Sequence, residues 1–177
     1  MKNILITFGG SDYLNQSLRI VKILQNNIDE TIKLNVVVNE NYRSLKKLQD
    51  LSEKNKQIIL WNNVKEMGKL MKEMDLAISA GGSTVWELLY IGVPTILMII
   101  ADNQKDIAKN LSKDGYIENL GWYNKISDKE ILMKIMELVN NNQKRERLFK
   151  QGQKLIDGSG KKKIAKEVIK RYKNITL

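Results

Sequence analysis

The sequence predicts an α/β protein in which a parallel β-sheet carries helices on both faces. Strand-like and helix-like segments alternate about six times along the chain, a pattern typical of βα units joined by right-handed crossovers. The clearest strand, residues 95–100, is wholly apolar rather than alternating, as expected for a strand buried on both faces. Two strands end in Gly-Gly pairs, which allow sharp turns into the helices that follow.

Each element follows from its own pattern. Apolar runs predict strands at 3–8, 31–38, 57–60, 76–79, 95–100 and 116–120, and residues 121–124 are predicted to form a turn. Helical spacing predicts helices at 18–24, 42–54, 67–74, 83–92, 105–113, 131–140, 143–156 and 164–172. Ser127 and Glu130 form a predicted capping box, because Ser127 can accept the N–H three residues on while Glu130 reaches back.

Composition bounds the function. A chain of 177 residues fits one domain, here residues 1–177, with a proper core. The absence of Cys and His excludes disulfides, thiolate chemistry, an imidazole base and His metal ligands. Acidic residues do not cluster at ligand spacing, so neither a metal ion nor a cofactor is predicted. No apolar run approaches the roughly 20 residues of a membrane span, and no signal-length apolar segment starts the chain, which predicts a soluble cytoplasmic protein.

The formal net charge of +10 is distributed as lysine over many helices rather than concentrated as arginine. The densest cluster, from Lys161 to Lys173, lies in and directly beside the last predicted helix. Proteins that bind nucleic acid usually concentrate arginine and interleave exposed aromatic residues, so a nucleic-acid partner is not favoured. A positive field would still steer an anionic ligand inward.

Two glycine turns are candidate anion sites. Gly81 and Gly82 would let the backbone approach a bulky anion, and the N–H groups of Ser83, Thr84 and Val85 would point out of the helix start, where phosphate binds well. The turn Gly9-Gly10-Ser11 follows the first strand and would face the same sheet edge, so the two turns could hold a diphosphate from two sides. The alternatives are an ordinary strand-to-helix turn in one case and a turn with Asp12 capping a helix in the other.

Polar residues near these turns suit hydroxyl groups. Glu87 lies one helical turn beyond Thr84 on the same face, and a carboxylate there would repel phosphate but suits the paired hydroxyls of a ribose. Asp102, Asn103 and Gln104 follow the fifth strand, at the edge where open α/β sheets bind ligands. The alternative for Asn103 is a structural role as the cap of the helix that starts at Lys105.

The segment from Ala80 to Glu87 (Ala-Gly-Gly-Ser-Thr-Val-Trp-Glu), continued by Gly92-Val93-Pro94 and Asp102-Asn103-Gln104, carries a family resemblance. It resembles the nucleotide-binding half of GT-B glycosyltransferases of the undecaprenyl-muramyl-pentapeptide N-acetylglucosaminyltransferase type. It is more similar still to the UDP-sugar hydrolases of pseudaminic acid biosynthesis and the related spore-coat polysaccharide proteins. The resemblance implies a Rossmann-like GT-B C-terminal domain, metal-free, that binds UDP or a UDP-sugar.

The resemblance also implies roles for individual residues. For the phosphates it implies contacts with Gly9, Gly10 and Ser11 and with Gly81, Gly82, Ser83 and Thr84. For the nucleoside it implies a uracil near Asn62, Asn63 and Val64 and a ribose bound by Glu87. For the sugar it implies that hydroxyl or acetamido groups contact Asp102, Asn103 and Gln104. In such proteins another domain, which commonly carries a Gly-His loop, faces this one. This sequence matches half of a two-domain GT-B protein and has no His, so the chain is expected to need an N-terminal domain or a partner chain for chemistry.

The favoured function is therefore the UDP-sugar-binding half of a nucleotide-sugar hydrolase in surface polysaccharide or nonulosonic acid biosynthesis. Hydrolysis is preferred over transfer because Gly-Gly-Ser-Asp and Ala-Asp-Asn-Gln resemble the hydrolase and spore-coat group more closely. The UDP-binding half of a GT-B glycosyltransferase and a non-catalytic nucleotide-binding module are the alternatives.

Overall fold

The computed structural model describes residues 1–175, with side chains to residue 172. Within these residues lies one six-stranded sheet of order β3-β2-β1-β4-β5-β6, and every pairing is parallel. The predicted α/β fold, with its parallel sheet, is confirmed. The strands are β1 Asn3–Thr7, β2 Lys33–Val38, β3 Ile58–Asn62, β4 Leu76–Ala80, β5 Thr95–Ile99 and β6 Glu118–Trp122.

Eight α-helices occur in the described part of the chain, and each corresponds to a predicted one. They are α1 Gln16–Leu24, α2 Leu45–Lys54, α3 Met67–Lys72, α4 Thr84–Ile91, α5 Lys105–Lys113, α6 Asp128–Asn140, α7 Asn142–Leu155 and α8 Gly160–Ile175, with a 3₁₀ turn at Asp102–Gln104 before α5. None of the described helices is long and apolar enough to cross a bilayer.

The sheet separates two apolar layers, because side chains alternate between its faces. Ile4 and Ile6 of β1 pack in the layer that contains α1 and α6, whereas Leu5 packs with residues of α3 and α4. Toward β5, a third cluster joins α4 and α5 through Val85, Leu97 and Ala108. Helices therefore cover both faces, as predicted.

The capping box at the start of α6 is present as predicted. Ser127 Oγ accepts the N–H of Glu130 at 3.3 Å, and Glu130 Oε2 accepts the N–H of Ser127 at 2.9 Å. The hydrogen bond from the Ser127 hydroxyl lowers the pKa of the Glu130 carboxyl below its ordinary value. This helix packs against α1, and Arg19 of α1 pairs with Asp128 at 2.7 Å.

The end of the sixth strand differs from the prediction. Gly121 and Trp122 were predicted to lie in a turn but belong to β6. The register slips between Leu97 and Met98, where Gly121 has φ +83° and donates its N–H to Asn119 Oδ1 at 2.8 Å. A bulge with a glycine in the left-handed region lets the strand continue past this point.

The strand order determines where a ligand can enter. The chain adds β2 and β3 on one side of β1, then crosses over and adds β4, β5 and β6 on the other. The loops after β1 and β4 therefore leave the sheet in opposite directions, and the crevice between them is the usual ligand site of such sheets. Thr7 and Ser79 are register partners near the carboxyl ends of these two strands.

Candidate functional site

A hollow of about 300 Å³ lies at the carboxyl ends of the central strands. It brings together residues that the sequence predicts to bind one ligand, Gly9 and Gly10 near the start of the chain and Thr84 and Glu87 of α4. It is lined by Thr7, Gly9, Gly10, Val37, Val38, Asn39, Asn63, Val64, Met67, Thr84 and Glu87. The predicted first glycine turn, the loop after β3 and the start of α4 thus meet at one place.

The start of α4 presents unused backbone donors. Among the described residues, the N–H groups of Gly82, Ser83 and Thr84 donate no hydrogen bond, and Gly82 and Ser83 are exposed. Val85 differs from the prediction, because its N–H donates to the carbonyl of Gly82 at 3.3 Å in the first turn. Ser83 precedes the helix but makes no side-chain cap. Three open amides at a helix start form a favourable position for an anion.

Gln104 fixes the other side of this turn. Its side chain is buried, and Oε1 accepts the N–H of Ile100 at 3.0 Å and the N–H of Gly81 at 3.3 Å. A Cβ atom on Gly81 would lie only 3.0 Å from the Cβ of Gln104. The carboxamide oxygen is therefore used within the protein, and the NH₂ group is the part of Gln104 left for a ligand.

Asp102 and Asn103 remain open to solvent. Both lie in the 3₁₀ turn after β5, both are exposed, and neither side chain has a hydrogen-bond partner in the described part of the protein. Asn103 does not cap α5, because that helix has no side-chain cap. The two residues lie beside Gln104, outside the hollow that contains Glu87.

The first glycine turn lines the hollow with backbone. Gly9 has φ +83°, a conformation that L side chains rarely adopt. A Cβ on Gly10 would approach Nδ2 of Asn39 to 3.0 Å. Ser11 is exposed but does not line the hollow.

The start of α1 is already occupied by a carboxylate of the protein. Asp12 is buried, and its two oxygens accept the N–H groups of Gln16 at 2.9 Å and Ser17 at 2.7 Å. Burial raises the pKa of Asp12, although these hydrogen bonds act in the opposite direction. Burial, with the nearby Asp12 charge, also raises the pKa of Tyr42 to about 12. The capping alternative is right for Asp12, so of the two glycine turns only the one before α4 presents an open helix start.

Glu87 faces the hollow without a partner. It is exposed, one helical turn after Thr84, and forms no ion pair or hydrogen bond with any described residue. A carboxylate that is neither buried nor paired keeps all its acceptor sites for a ligand. Its position beside the open amides of α4, rather than on them, separates an anion-binding region from an acceptor region.

The end of β3 and the loop after it divide between two hollows, since Asn62 is the last residue of the strand. Asn63 has φ +50° and donates from Nδ2 to Glu40 Oε1 at 2.5 Å, and it lines the same hollow as Glu87. Asn62 instead lines a second hollow of about 670 Å³ that also includes Trp61 and Asn35. Val64 borders both. The structure thus brings Asn63 and Val64 to Glu87, but not Asn62.

Some lining residues were not predicted from sequence. Thr7, Asn39 and Met67 belong to the hollow without having been singled out. Asn39 follows β2 directly, so the rule that polar residues after parallel strands meet at one edge would have found it. Met67 carries no such signal, because a methionine at a helix start is indistinguishable from core in sequence.

Comparison with known proteins identifies a family match. A family model described as the glycosyltransferase family 28 C-terminal domain matches residues 3–171. The spore coat polysaccharide biosynthesis protein SpsG of Bacillus subtilis is 27% identical over 160 residues, which are 90% of this chain and 47% of that protein. The UDP-N-acetylglucosamine–N-acetylmuramyl-(pentapeptide) pyrophosphoryl-undecaprenol N-acetylglucosamine transferase of Rickettsia felis is 33% identical over 149 residues, 76% of this chain and 39% of that enzyme.

Solved structures share the fold. Acinetobacter baumannii MurG superposes with a TM-score of 0.77 at 20% identity, covering 96% of this chain and 52% of that one. A putative UDP-N-acetylglucosamine 2-epimerase from Listeria monocytogenes gives a TM-score of 0.73 at 13% identity, covering 98% of this chain and 46% of that one. The chain therefore spans about half, or less, of the length of the proteins it matches.

Proposed function

The chain belongs to the glycosyltransferase family 28 C-terminal domain family, and from this we propose that it is the UDP-sugar-binding half of an enzyme that breaks an anomeric C–O bond. The membership carries with it the GT-B fold and nucleotide-sugar binding as a class. The observation that carries the more specific proposal is the pairing of three open amides at α4 with the unpaired Glu87 one turn away.

The diphosphate lies at the start of α4 in this proposal. The N–H groups of Gly82, Ser83 and Thr84 donate to its oxygens, with Gly81 behind them. A hydrogen bond to a charged group contributes about 1.5 to 3 kcal/mol and a helix start about 0.3 to 1 kcal/mol. Several such contacts give micromolar affinity. The backbones of Gly9 and Gly10 approach from the opposite wall, with Ser11 beside them.

Glu87 holds the ribose. Its carboxylate accepts hydrogen bonds from the two ring hydroxyls. Its negative charge repels the phosphates and so keeps them at the first residues of α4. The uracil then faces the loop after β3, where Asn63 and Val64 line the same hollow. Asn62 acts through its backbone in this arrangement, since the residue lines the neighbouring hollow and not the one that contains Glu87.

The sugar extends toward the end of β5. Asp102 and Asn103 offer exposed polar groups there, and Gln104 offers its NH₂ group. Donors around the diphosphate also stabilise UDP as a leaving group, because they bind the charge that develops as the C–O bond breaks.

Within this class we favour hydrolysis. The Gly-Gly-Ser-Asp and Ala-Asp-Asn-Gln segments carry this preference, because they resemble the hydrolase and spore-coat group more closely. SpsG itself is similar over 90% of the chain. A glycosyltransferase half fits as well, since the Rickettsia felis transferase is 33% identical over the region it shares. The chain has no His, so in this proposal an imidazole base for activating water or an acceptor comes from an N-terminal domain or partner chain.

Calorimetric titration with UDP tests the proposal. We expect micromolar binding of UDP and weaker binding of UMP, because UMP lacks one phosphate for the α4 amides. A third titration, with ADP, tests whether the site distinguishes uracil from another nucleobase. Absence of UDP binding would contradict the proposal, and binding of RNA that weakens steeply with salt would replace it by a nucleic-acid function. UDP binding without turnover when a complementary domain is added would favour a non-catalytic module.

A further inference from the structure

Asn39 carries a free amide donor beside the first glycine turn. The residue follows β2 directly, is half-buried and lines the hollow that contains Glu87. Its side-chain oxygen accepts the N–H of Asn41 at 2.9 Å. Since a carboxamide NH₂ group donates and does not accept, this contact fixes which end of the side chain is oxygen and which is nitrogen. The oxygen is therefore used by the loop, and the NH₂ group is left for another partner.

Gly10 shows where that NH₂ group lies. A Cβ atom built on Gly10 would lie only 3.0 Å from Nδ2 of Asn39. The amide nitrogen thus rests against the backbone of the first glycine turn, in space that a larger residue at position 10 would take. Within the described residues Nδ2 donates no hydrogen bond. It is an unused donor at the wall of the hollow.

The other amide side chain that lines the hollow is already engaged. Asn63 donates from Nδ2 to Glu40 Oε1 at 2.5 Å. Among the described residues that line the hollow, Glu87 is the one charged side chain, and there is no Lys or Arg. An anion in the hollow is therefore bound by neutral donors, and Asn39 supplies one of them.

We propose that Asn39 is a specificity-determining residue of the proposed nucleotide site, and that its NH₂ group donates to the diphosphate from the side of Gly10. This inference rests on the proposed function and adds a side-chain contact to the backbone contacts described there. Asp12 already occupies the amides at the start of α1. The donor on that wall is then Asn39, while α4 contributes its open amides from the other.

The chemistry of the NH₂ group favours phosphate over the other parts of the ligand. Ribose hydroxyls find an acceptor in Glu87, which an NH₂ group cannot provide. The uracil faces the loop after β3 in the proposed arrangement, whereas Asn39 Nδ2 lies at Gly10. A hydrogen bond to a charged oxygen is about twice as strong as one between neutral groups, so the contact distinguishes a nucleoside diphosphate from a nucleoside.

Asn39→Asp tests the donor with little change of shape. The aspartate keeps an oxygen for the N–H of Asn41, so thermal unfolding should match that of the unmodified protein. A second oxygen replaces the NH₂ group and repels phosphate. We expect UDP affinity in calorimetry to fall at least about tenfold, UMP affinity to fall less, and uridine affinity in an NMR titration to stay the same. A purely structural role would lower all three affinities alike, and that result would overturn the inference.

Asn41→Asp is the matched control. It introduces the same charge two residues along the same loop, at an exposed position that does not line the hollow, and it keeps the backbone N–H that Asn39 accepts. UDP affinity should stay close to that of the unmodified protein. An equal loss in both aspartate variants would overturn the inference, because the effect would then come from added charge near the site and not from the NH₂ group.

Gly10→Ala gives an independent test through the same contact. The new methyl group would displace the Asn39 amide, so we expect it to lower UDP affinity several-fold in the unmodified background and much less in Asn39→Ala. Residues in contact give such non-additive effects, and additive losses would overturn the inference. UDP binding that Asn39→Asp leaves unchanged would overturn this inference alone. Absence of UDP binding by the unmodified protein would overturn the proposed function and this inference with it.

Discussion

The side-chain oxygen of Gln104 accepts the N–H of Gly81 at 3.3 Å and so connects the glycine turn before α4 to the end of β5. The same oxygen accepts the N–H of Ile100 at 3.0 Å. One buried carboxamide therefore positions the open amides proposed to bind diphosphate, although it does not belong to the turn itself.

Removing this acceptor should weaken both fold and site. We expect Gln104→Met to lose about 1 to 3 kcal/mol of unfolding free energy, since it leaves two buried N–H groups unsatisfied, and to lower UDP affinity several-fold. Denaturant unfolding and calorimetry measure the two effects. Gln104→Glu keeps an acceptor oxygen and should retain more of the affinity. Equal UDP affinity in the wild type and Gln104→Met would show that the contact does not position the turn.

The two glycines of this turn should respond differently to alanine. At Gly81 the new Cβ would lie 3.0 Å from the Cβ of Gln104, so Gly81→Ala should lower stability and UDP affinity together. At Gly82 a Cβ meets nothing within 4 Å, so Gly82→Ala should keep its stability and lose affinity only if phosphate approaches the backbone there.

Gly160→Ala is the matched control for this pair. Its Cβ likewise meets nothing within 4 Å, and the residue lies at the start of α8, away from the hollow. Thermal unfolding and UDP titration should both match the unmodified protein. Unchanged UDP affinity in Gly82→Ala would argue against close approach of the diphosphate.

Glu87 should contribute through the ribose hydroxyls. We expect Glu87→Gln to lower UDP affinity by about tenfold or more, because a charged acceptor is replaced by a neutral one. The same substitution should have much less effect on 2′-deoxy-UDP, which lacks one of the two hydroxyls. Calorimetry on both ligands gives the coupling directly. Glu53→Gln, at an exposed position on α2, is the control. An equal loss of affinity for both ligands in Glu87→Gln would mean that Glu87 does not contact the ribose hydroxyls.

Asp12 should make stability depend on pH in a defined direction. Burial raises its folded-state pKa above the unfolded value of 3.8, so the folded protein binds the proton more tightly. The contribution of Asp12 to the free energy of unfolding is greatest below pH 3.8. It declines as the pH rises through the raised pKa. The difference in unfolding free energy between the wild type and Asp12→Asn should therefore fall with rising pH. A difference that grows with pH would mean that hydrogen bonds from Gln16 and Ser17 outweigh burial.

Local pattern predicted most of the fold. Apolar runs identified all six strands, and the capping box at Ser127 was correct because both partners lie within four residues of each other. The end of β6 was not predictable, since a bulge at Gly121 depends on register with β5. Sequence alone does not specify such pairings.

The site was predicted in part, for related reasons. Glycine turns after neighbouring parallel strands could be placed at one edge, and Glu87 follows from helical spacing. The internal contact of Gln104 depends on burial between β4 and β5, and the division between Asn62 and Asn63 depends on a positive φ at Asn63. Both arise from tertiary packing, which residue identity does not record.

The carboxylate of Asp12 has a kinetic consequence. Because it occupies the start of α1, only α4 offers open helix-start amides to the proposed nucleotide, and the opposite wall offers the uncharged backbone of Gly9 and Gly10. We expect such a complex to exchange quickly, with a residence time set by a few amides. Any surface that closes over the open side would then control how long the nucleotide stays.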